Sequence, residues 1–323
     1  MNNIIIFIIC AVILFIGSIF YAKHLITKSK SGQPIYNDGP KWHAKKSGTP
    51  TKGGKIFVIP LLIIIGIMFI LTQEQTYLFL FVILGLTFFM GLIDDNNKIN
   101  KKDNQSGLSS KQKLLIQFII ALILDYWFYI TCGYNGTMLY ICLILIPLVM
   151  MGLTNATNLT DGLDGLLGFV SLASFFPFLF ISILTSNTLF IIILSLFLLC
   201  LCVFLFYNKY PAKIFMGDTG SLVIGAFFMF NCIYFRLGWL GLLLGGIYII
   251  EMFSVILQVT YFRYTKKKYG EGKRLLKMAP LHHHFEKMGI SEVNIDYFFS
   301  GAQIIISTLV LLIYMATNAT VSF

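Results

Sequence analysis

The sequence predicts an all-α, polytopic membrane protein with about ten transmembrane helices, both termini outside and its active site at the cytoplasmic face. Composition is the first reason. Of 323 residues, 57% are hydrophobic and only 12% charged, and the mean hydropathy is +0.83; a soluble domain carries about twice that charged fraction. Pattern is the second. Long apolar runs alternate with short polar segments, and a helix of about 20 residues crosses roughly 30 Å of hydrocarbon with its backbone groups paired internally. The third reason is charge, since almost every Lys and Arg falls in alternate connections.

The apolar runs give candidate spans at about 4–22, 56–72, 77–93, 114–131, 137–153, 165–185, 188–206, 220–235, 238–262 and 296–316. The first follows Met-Asn-Asn, which has no Lys or Arg, and no small-residue cleavage pattern comes after it, so it reads as a span rather than a signal peptide. The run at 220–235 is short, and the run at 238–262 is long enough to tilt or project. Together the spans form one integral-membrane domain, 1–323. Cys10, Cys132, Cys142, Cys200, Cys202 and Cys232 lie within or at the ends of these runs, where free thiols serve as small hydrophobes.

Assigning alternate connections to opposite sides puts 23–55, 94–113, 154–164, 207–219 and 263–295 together. These segments hold every Lys and Arg of the 24 except Arg236. By the positive-inside rule their side is cytoplasmic. Orientation and attraction to anionic headgroups account for many of the lysines, but not for acidic, histidine and glycine motifs on the same side.

The third run ends in Gly91-Leu-Ile-Asp94-Asp95-Asn-Asn-Lys98. Adjacent carboxylates at the edge of a hydrophobic run are expensive beside lipid. They suit Mg²⁺, which takes oxygen ligands, and one of them suits proton acceptance. Lys98 suits phosphate contact. After the fifth run, Asn155, Asn158, Asp161 and Asp164 recur every three residues, a spacing that lines up on one helical stripe; Gly162 and Gly165 permit close approach. One polar residue would suffice to cap the next helix. After the seventh run, Asn208 and Phe215 lead into Gly217-Asp218-Thr219-Gly220-Ser221, a helix start suited to a phosphate or a metal. The segment after the ninth run carries Ala279-Pro280-Leu281-His282-His283-His284-Phe285-Glu286. Zinc spacing is absent, and phosphate contact or proton handling is the better reading. The first connection contains Lys45-Lys46-Ser-Gly48-Thr49-Pro50-Thr51-Lys52-Gly53-Gly54, basic residues beside a turn suited to a diphosphate.

Together these motifs resemble the polyprenyl-phosphate N-acetylhexosamine-1-phosphate transferase superfamily (glycosyltransferase 4), and most closely its phospho-N-acetylmuramoyl-pentapeptide transferase branch. The resemblance runs from the Gly-Thr-Pro-Thr-x-Gly-Gly turn to His-His-His-Phe-Glu. Asn-Leu-Thr-Asp-Gly-Leu-Asp-Gly and the triple histidine are its specific elements. Lys52 stands where Met is expected, and Asn96-Asn97 where an aromatic or aliphatic residue is common.

The resemblance implies a Mg²⁺-dependent transfer of phospho-MurNAc-pentapeptide from UDP-MurNAc-pentapeptide to undecaprenyl phosphate in a bacterial cell membrane. The products are lipid I and UMP, and the reaction is the first membrane step of peptidoglycan synthesis. It implies Asp218 as the principal metal ligand, Asp94 as the residue that deprotonates the lipid phosphate or supports its attack, and Asp95 beside it. His282 and His283 join this catalytic set. Asn158, Asp161, Asp164, Asn208 and Phe215 are implied to line the uridine and diphosphate pocket. Lys46, Thr51, Lys111 and Asn155 are implied to assist with phosphate or sugar, His282, His283 and His284 to contact the second substrate or the diphosphate rather than a metal, and the family suggests a homodimer. A single displacement and a two-step route through an aspartyl phosphate both fit these residues.

Two other functions compete. A GlcNAc-1-phosphate transferase of the same superfamily is disfavoured by the His-His-His-Phe-Glu run. A transporter would place its polar groups near the midplane; here Gln117, Asp125, Glu251 and Gln258 are the main polar residues within the spans, and most of the acidic chemistry sits at the inner boundary instead. For Glu251 two roles are open, pairing inside the bundle, which is the default, and a place in the substrate groove.

Overall fold

The computed structural model describes residues 2–28, 46, 48–101, 106–133 and 136–319. Lys45, part of the basic turn singled out above, lies outside them. The described chain is helical, with no strand. Ten long helices occupy the ten predicted positions: α1 Asn2–Lys28, α2 Lys55–Thr72, α3 Gln75–Lys101, α4 Ser110–Cys132, α5 Thr137–Thr160, α6 Leu166–Leu184, α7 Thr188–Asn208, α8 Asp218–Tyr234, α10 Gly246–Tyr269 and α12 Glu292–Ala319. Two short helices are added, α9 Trp239–Leu244 and α11 Leu281–Lys287. Among the described residues nine helices are long and apolar enough to cross a membrane; α8, at 17 residues, is the shorter apolar one.

Helix α8 is the axis of the bundle. Every residue from Asp218 to Cys232 is buried, and α3, α5, α2 and α6 pack around it. In lipid, apolar side chains gain little by leaving the solvent, so helices associate through close backbone approach and shape. Both are visible here. A Cβ on Gly91 of α3 would strike the backbone carbonyl of Asp218, so the absence of a side chain brings α3 against the first turn of α8. Farther along α8, Phe57, Phe175, Phe197, Phe227 and Phe228 interlock from α2, α6, α7 and α8. The periphery remains apolar and exposed, as along α1 at Ile5, Ile9, Ile13 and Phe20.

Three differences from the sequence reading have physical causes. The run expected at 238–262 is broken: α9 stops at Leu244 and α10 starts at Gly246. Gly241, Gly245 and Gly246 crowd this stretch, and glycine gives the helix its least resistance to interruption. Helix α3 continues through Asp94, Asp95 and Lys98 to Lys101, so the acidic pair is helical rather than part of a connection. The stripe expected from Asn155 to Asp164 ends early, because α5 stops at Thr160 and only Asn155 and Asn158 are helical.

The segment after α10 is guided back along that helix. Thr265 Oγ1 accepts the Lys273 N–H at 2.8 Å. Gln258 Oε1 accepts the N–H groups of Leu275 and Leu276 at 3.0 and 2.9 Å. Glu251 accepts those of Leu281 and His282 at 2.9 and 3.2 Å. These three acceptors are seven residues apart in sequence and so share one face of α10, leading the returning chain over about 21 Å of helix axis.

Replacing Gly91 by Ala is expected to destabilise the bundle by about 1–3 kcal/mol through overpacking against Asp218. Gly85→Ala on the same helix is the control, since a Cβ there meets nothing within 4 Å. Thermal midpoints of the two variants in one detergent check this; only Gly91→Ala should fall.

Candidate active site

The end of α3 and the start of α8 meet as a lattice of opposite charges. Asp94, Asp95, Lys98 and Asp218 are all buried. Asp95 Oδ1 accepts the Asp218 N–H and its Oδ2 the Thr219 N–H, both at 3.0 Å, and the Thr219 hydroxyl also donates to Oδ2. Asp95 therefore satisfies the exposed donors at the start of α8 from a neighbouring helix, where the helix dipole favours negative charge. Its carboxylate fixes the direction in which Asp218 projects.

Asp94 and Asp218 share two lysines. Lys98 Nζ lies 2.6 Å from Asp94 Oδ2 and 3.2 Å from Asp218 Oδ1. Lys113 Nζ lies 3.0 Å from Asp94 Oδ2 and 2.7 Å from Asp218 Oδ2. Asp94 Oδ1 also accepts the Leu108 N–H at 2.7 Å, and Asn158 Nδ2 donates to Asp218 Oδ1 and Ser221 Oγ, both at 2.9 Å. One oxygen from each of Asp94, Asp95 and Asp218 lies within 4.8 Å of the others. Three carboxylates against two ammonium groups leave a formal excess of one negative charge, and an all-oxygen donor set of this kind suits a hard divalent cation.

Lys113 was not among the residues selected from the sequence; Lys111 was. Ser109 and Gln112 form a reciprocal capping box that starts α4, which fixes its helical phase. Residues two apart then point about 200° apart, and the structure turns Lys113 inward while Lys111 lies exposed on the opposite face.

The turn after α5 joins this lattice to two other segments. Asp161 accepts the Gly217 N–H; burial, with Asp218, Asp95 and Asp164 nearby, pushes its carboxyl well above the usual range. Asp164 holds Lys46 Nζ at 2.8 Å and the Ala212 N–H at 2.9 Å, and Glu292 holds the same ammonium at 2.7 Å. Burial works against the charge on Lys46, yet Asp164 and Glu292 together hold its pKa above the ordinary value. Asn208 accepts the Gly165 N–H at 3.0 Å and donates to the Ile214 carbonyl at 2.8 Å. Pro50 and Gly53 pair with the backbone of Phe215, placing Thr51 Oγ1, buried and unpartnered, near Gly217. A cleft of about 270 Å³ opens beside this region, lined by Tyr210, Glu286, Ser291 and Glu292 among others.

The histidines enter from the other side, carried by the chain returning along α10. His282 is fully buried; its Nδ1 lies 3.2 Å from Glu251 Oε2, and its Nε2 is the nearest atom to a Cβ built on Gly162. His283 Nδ1 lies 2.6 Å from Glu286 Oε2, and His284 Nδ1 accepts the Lys277 N–H at 3.1 Å.

The structure thus brings Asp94, Asp95, Lys98, Asn158 and Asp218 into one cluster. Asp161 links that cluster to the turn against which His282 rests. Asn155 turns away to Gln117, donating to its Oε1 at 3.0 Å. The predicted set lacked Lys113, Thr219 and Glu292.

This chain matches the glycosyl transferase family 4 profile over residues 76–236, the stretch that carries the whole Asp94–Asp218 lattice. It is 40% identical over 292 residues to the phospho-N-acetylmuramoyl-pentapeptide-transferase of Clostridium acetobutylicum, covering 87% of this chain and 90% of that one. The chain belongs to the phospho-N-acetylmuramoyl-pentapeptide-transferase family. Relatives of the same name from Clostridium perfringens strain 13 and a Wolbachia of Drosophila simulans are 40% and 39% identical, over 85% and 84% of this chain and 87% of each relative.

For a transferase of this family, the two lysines should differ sharply. Lys113→Met leaves Asp94 and Asp218 with half their counter-charge and is expected to lower turnover about 100-fold or more. Lys111→Met should stay near wild type. Side-by-side initial rates of the two purified variants decide between these positions.

Proposed function

We propose that this chain transfers phospho-MurNAc-pentapeptide from its UDP carrier to undecaprenyl phosphate, forming lipid I and UMP. The observation that carries the reading is the convergence of Asp94, Asp218, Lys98 and Lys113 in one buried lattice, in a chain that shares 40% identity with named members over most of its length. Phosphoryl transfer asks a protein mainly for positioning and charge neutralisation, and this lattice offers both.

In this reading residues 1–323 form one membrane domain, both termini lie outside, and the lattice faces the cytoplasm of a bacterial cell. The one-sided placement of Lys and Arg supports that orientation. The donor set and the uncompensated negative charge fit Mg²⁺, with Asp218 as principal ligand and Asp94 beside it. The ion would neutralise developing charge on the diphosphate. Lys98 and Lys113 exchange part of their contact with the carboxylates for phosphate oxygens of the substrate. Asp94 takes the proton of the lipid phosphate, whose second pKa is near 6, so a modest base suffices. Asp95 keeps Asp218 aimed by holding the start of α8.

The uridine and diphosphate bind along Asp161, Asp164, Asn208 and Phe215, with Lys46 and Thr51 reaching them from the first connection. His282, His283 and His284 approach the diphosphate from the opposite side. The partners are the nucleotide-linked muramoyl peptide, the polyprenyl phosphate and a second copy in a homodimer.

Detergent-solubilised protein given UDP-MurNAc-pentapeptide, undecaprenyl phosphate and Mg²⁺ should release UMP. Asp218→Ala should lower that rate about 100- to 1000-fold, the scale of losing a main electrostatic stabiliser. Chelation should abolish release, and added Mg²⁺ should restore it. Turnover with UDP-GlcNAc in place of the muramoyl substrate would instead assign the chain to the GlcNAc-1-phosphate transferases.

A further inference from the structure

The three consecutive histidines are held in three different ways, and His282 is the unusual one. Its side chain is fully buried. Its Nδ1 faces Glu251 Oε2 at 3.2 Å, from a carboxylate that is itself fully buried on α10. Its Nε2 is buried without a partner and points at Gly162, in the turn between Asp161 and Asp164. His283 is paired within its own short helix to Glu286, and His284 spends its Nδ1 on the backbone of Lys277. Of the three, His282 is the one whose ring and carboxylate partner are both fully buried and whose other nitrogen is buried without a partner.

A carboxylate accepts but does not donate, so the nitrogen facing Glu251 carries the hydrogen. That contact sets ring orientation and leaves Nε2 as the nitrogen available to a ligand, the logic by which a group behind an imidazole controls the face in front. Glu251 also accepts the N–H groups of Leu281 and His282, fixing the backbone and the ring of one residue together. We propose that Glu251 is the positioning residue of His282, presenting Nε2 to a phosphate oxygen of the sugar-nucleotide substrate over the Asp161–Gly162 turn. The identity of that ligand rests on the function proposed above; the Glu251–His282 pairing does not.

The test uses full-length protein in lipid nanodiscs as wild type, E251Q, H282Q and E251Q/H282Q. UMP release should show kcat/KM falling about 10- to 100-fold in E251Q, the scale on which a partner behind a functional imidazole acts. The double variant should be no slower than H282Q alone, because removing the ring removes what Glu251 positions. Independent, multiplying losses would overturn the proposal, as would wild-type kinetics for E251Q. Separately, ¹⁵N-histidine spectra without substrate, with the His282 resonance identified by its loss in H282Q, should show Nδ1 protonated in the wild type. An unprotonated Nδ1 there would overturn the pairing, and this readout holds even where E251Q does not fold. Wild-type protein silent with every sugar nucleotide would defeat the proposed function, while the spectrum still decides the pairing.

Discussion

Three carboxylates packed side by side in a membrane protein repel one another and lose hydration, so whatever neutralises them shapes everything around them. Here two lysines from different helices are shared between Asp94 and Asp218, while the N-terminus of α8 takes Asp95. Breaking a buried pair of this kind costs about 3–5 kcal/mol because the remaining charge is stranded. The lattice therefore ties α3, α4, α5 and α8 at one level of the bundle. Gly91 makes the arrangement geometrically possible by removing the atoms that would hold α3 and α8 apart. Under the proposed function, catalysis and assembly depend on the same few side chains.

Helix α10 meets a different demand, since one of its faces is exposed and apolar at Ile250, Phe253 and Leu257. Its other face carries the acceptors Glu251, Gln258 and Thr265, which lead the returning segment toward the turn after α5. Polar side chains within a membrane span usually mark a pathway or a binding site. Two of these three instead hold backbone N–H groups of the returning chain, and the third, Glu251, also holds an imidazole.

The number and order of the long helices were legible because hydrophobic length is the strongest signal a membrane sequence carries. The acidic motifs were legible for the complementary reason, since charges beside apolar runs require an explanation. What escaped was orientation about a helix axis. Lys111 and Lys113 carry the same group two residues apart, and only the capping box that starts α4 separates them. Asn155 and Asn158 have the spacing of one stripe, yet one faces Gln117 and the other Asp218, because three residues turn a helix by about 300° and neighbouring positions meet different helices. Pairing of Glu251 was expected, but its partners lie in the chain that returns 30 residues later. Contacts of that sequence separation leave no local periodicity, although the seven-residue spacing to Gln258 and Thr265 was present all along.

The i,i+4 pairing of Asp94 with Lys98 also bears on how the chain is made. Translation delivers α3 long before α8, so the acidic pair leaves the ribosome more than 120 residues ahead of the helix whose N-terminus Asp95 holds. During that interval α3 carries its own counter-ion one helical turn away. Lys113 follows with the next helix, and only with α8 does the last carboxylate arrive. Lys98 thus follows Asp94 within one helical turn and both lysines precede Asp218, so these two carboxylates have a counter-charge at hand as the bundle forms, while Asp95 waits for the N-terminus of α8.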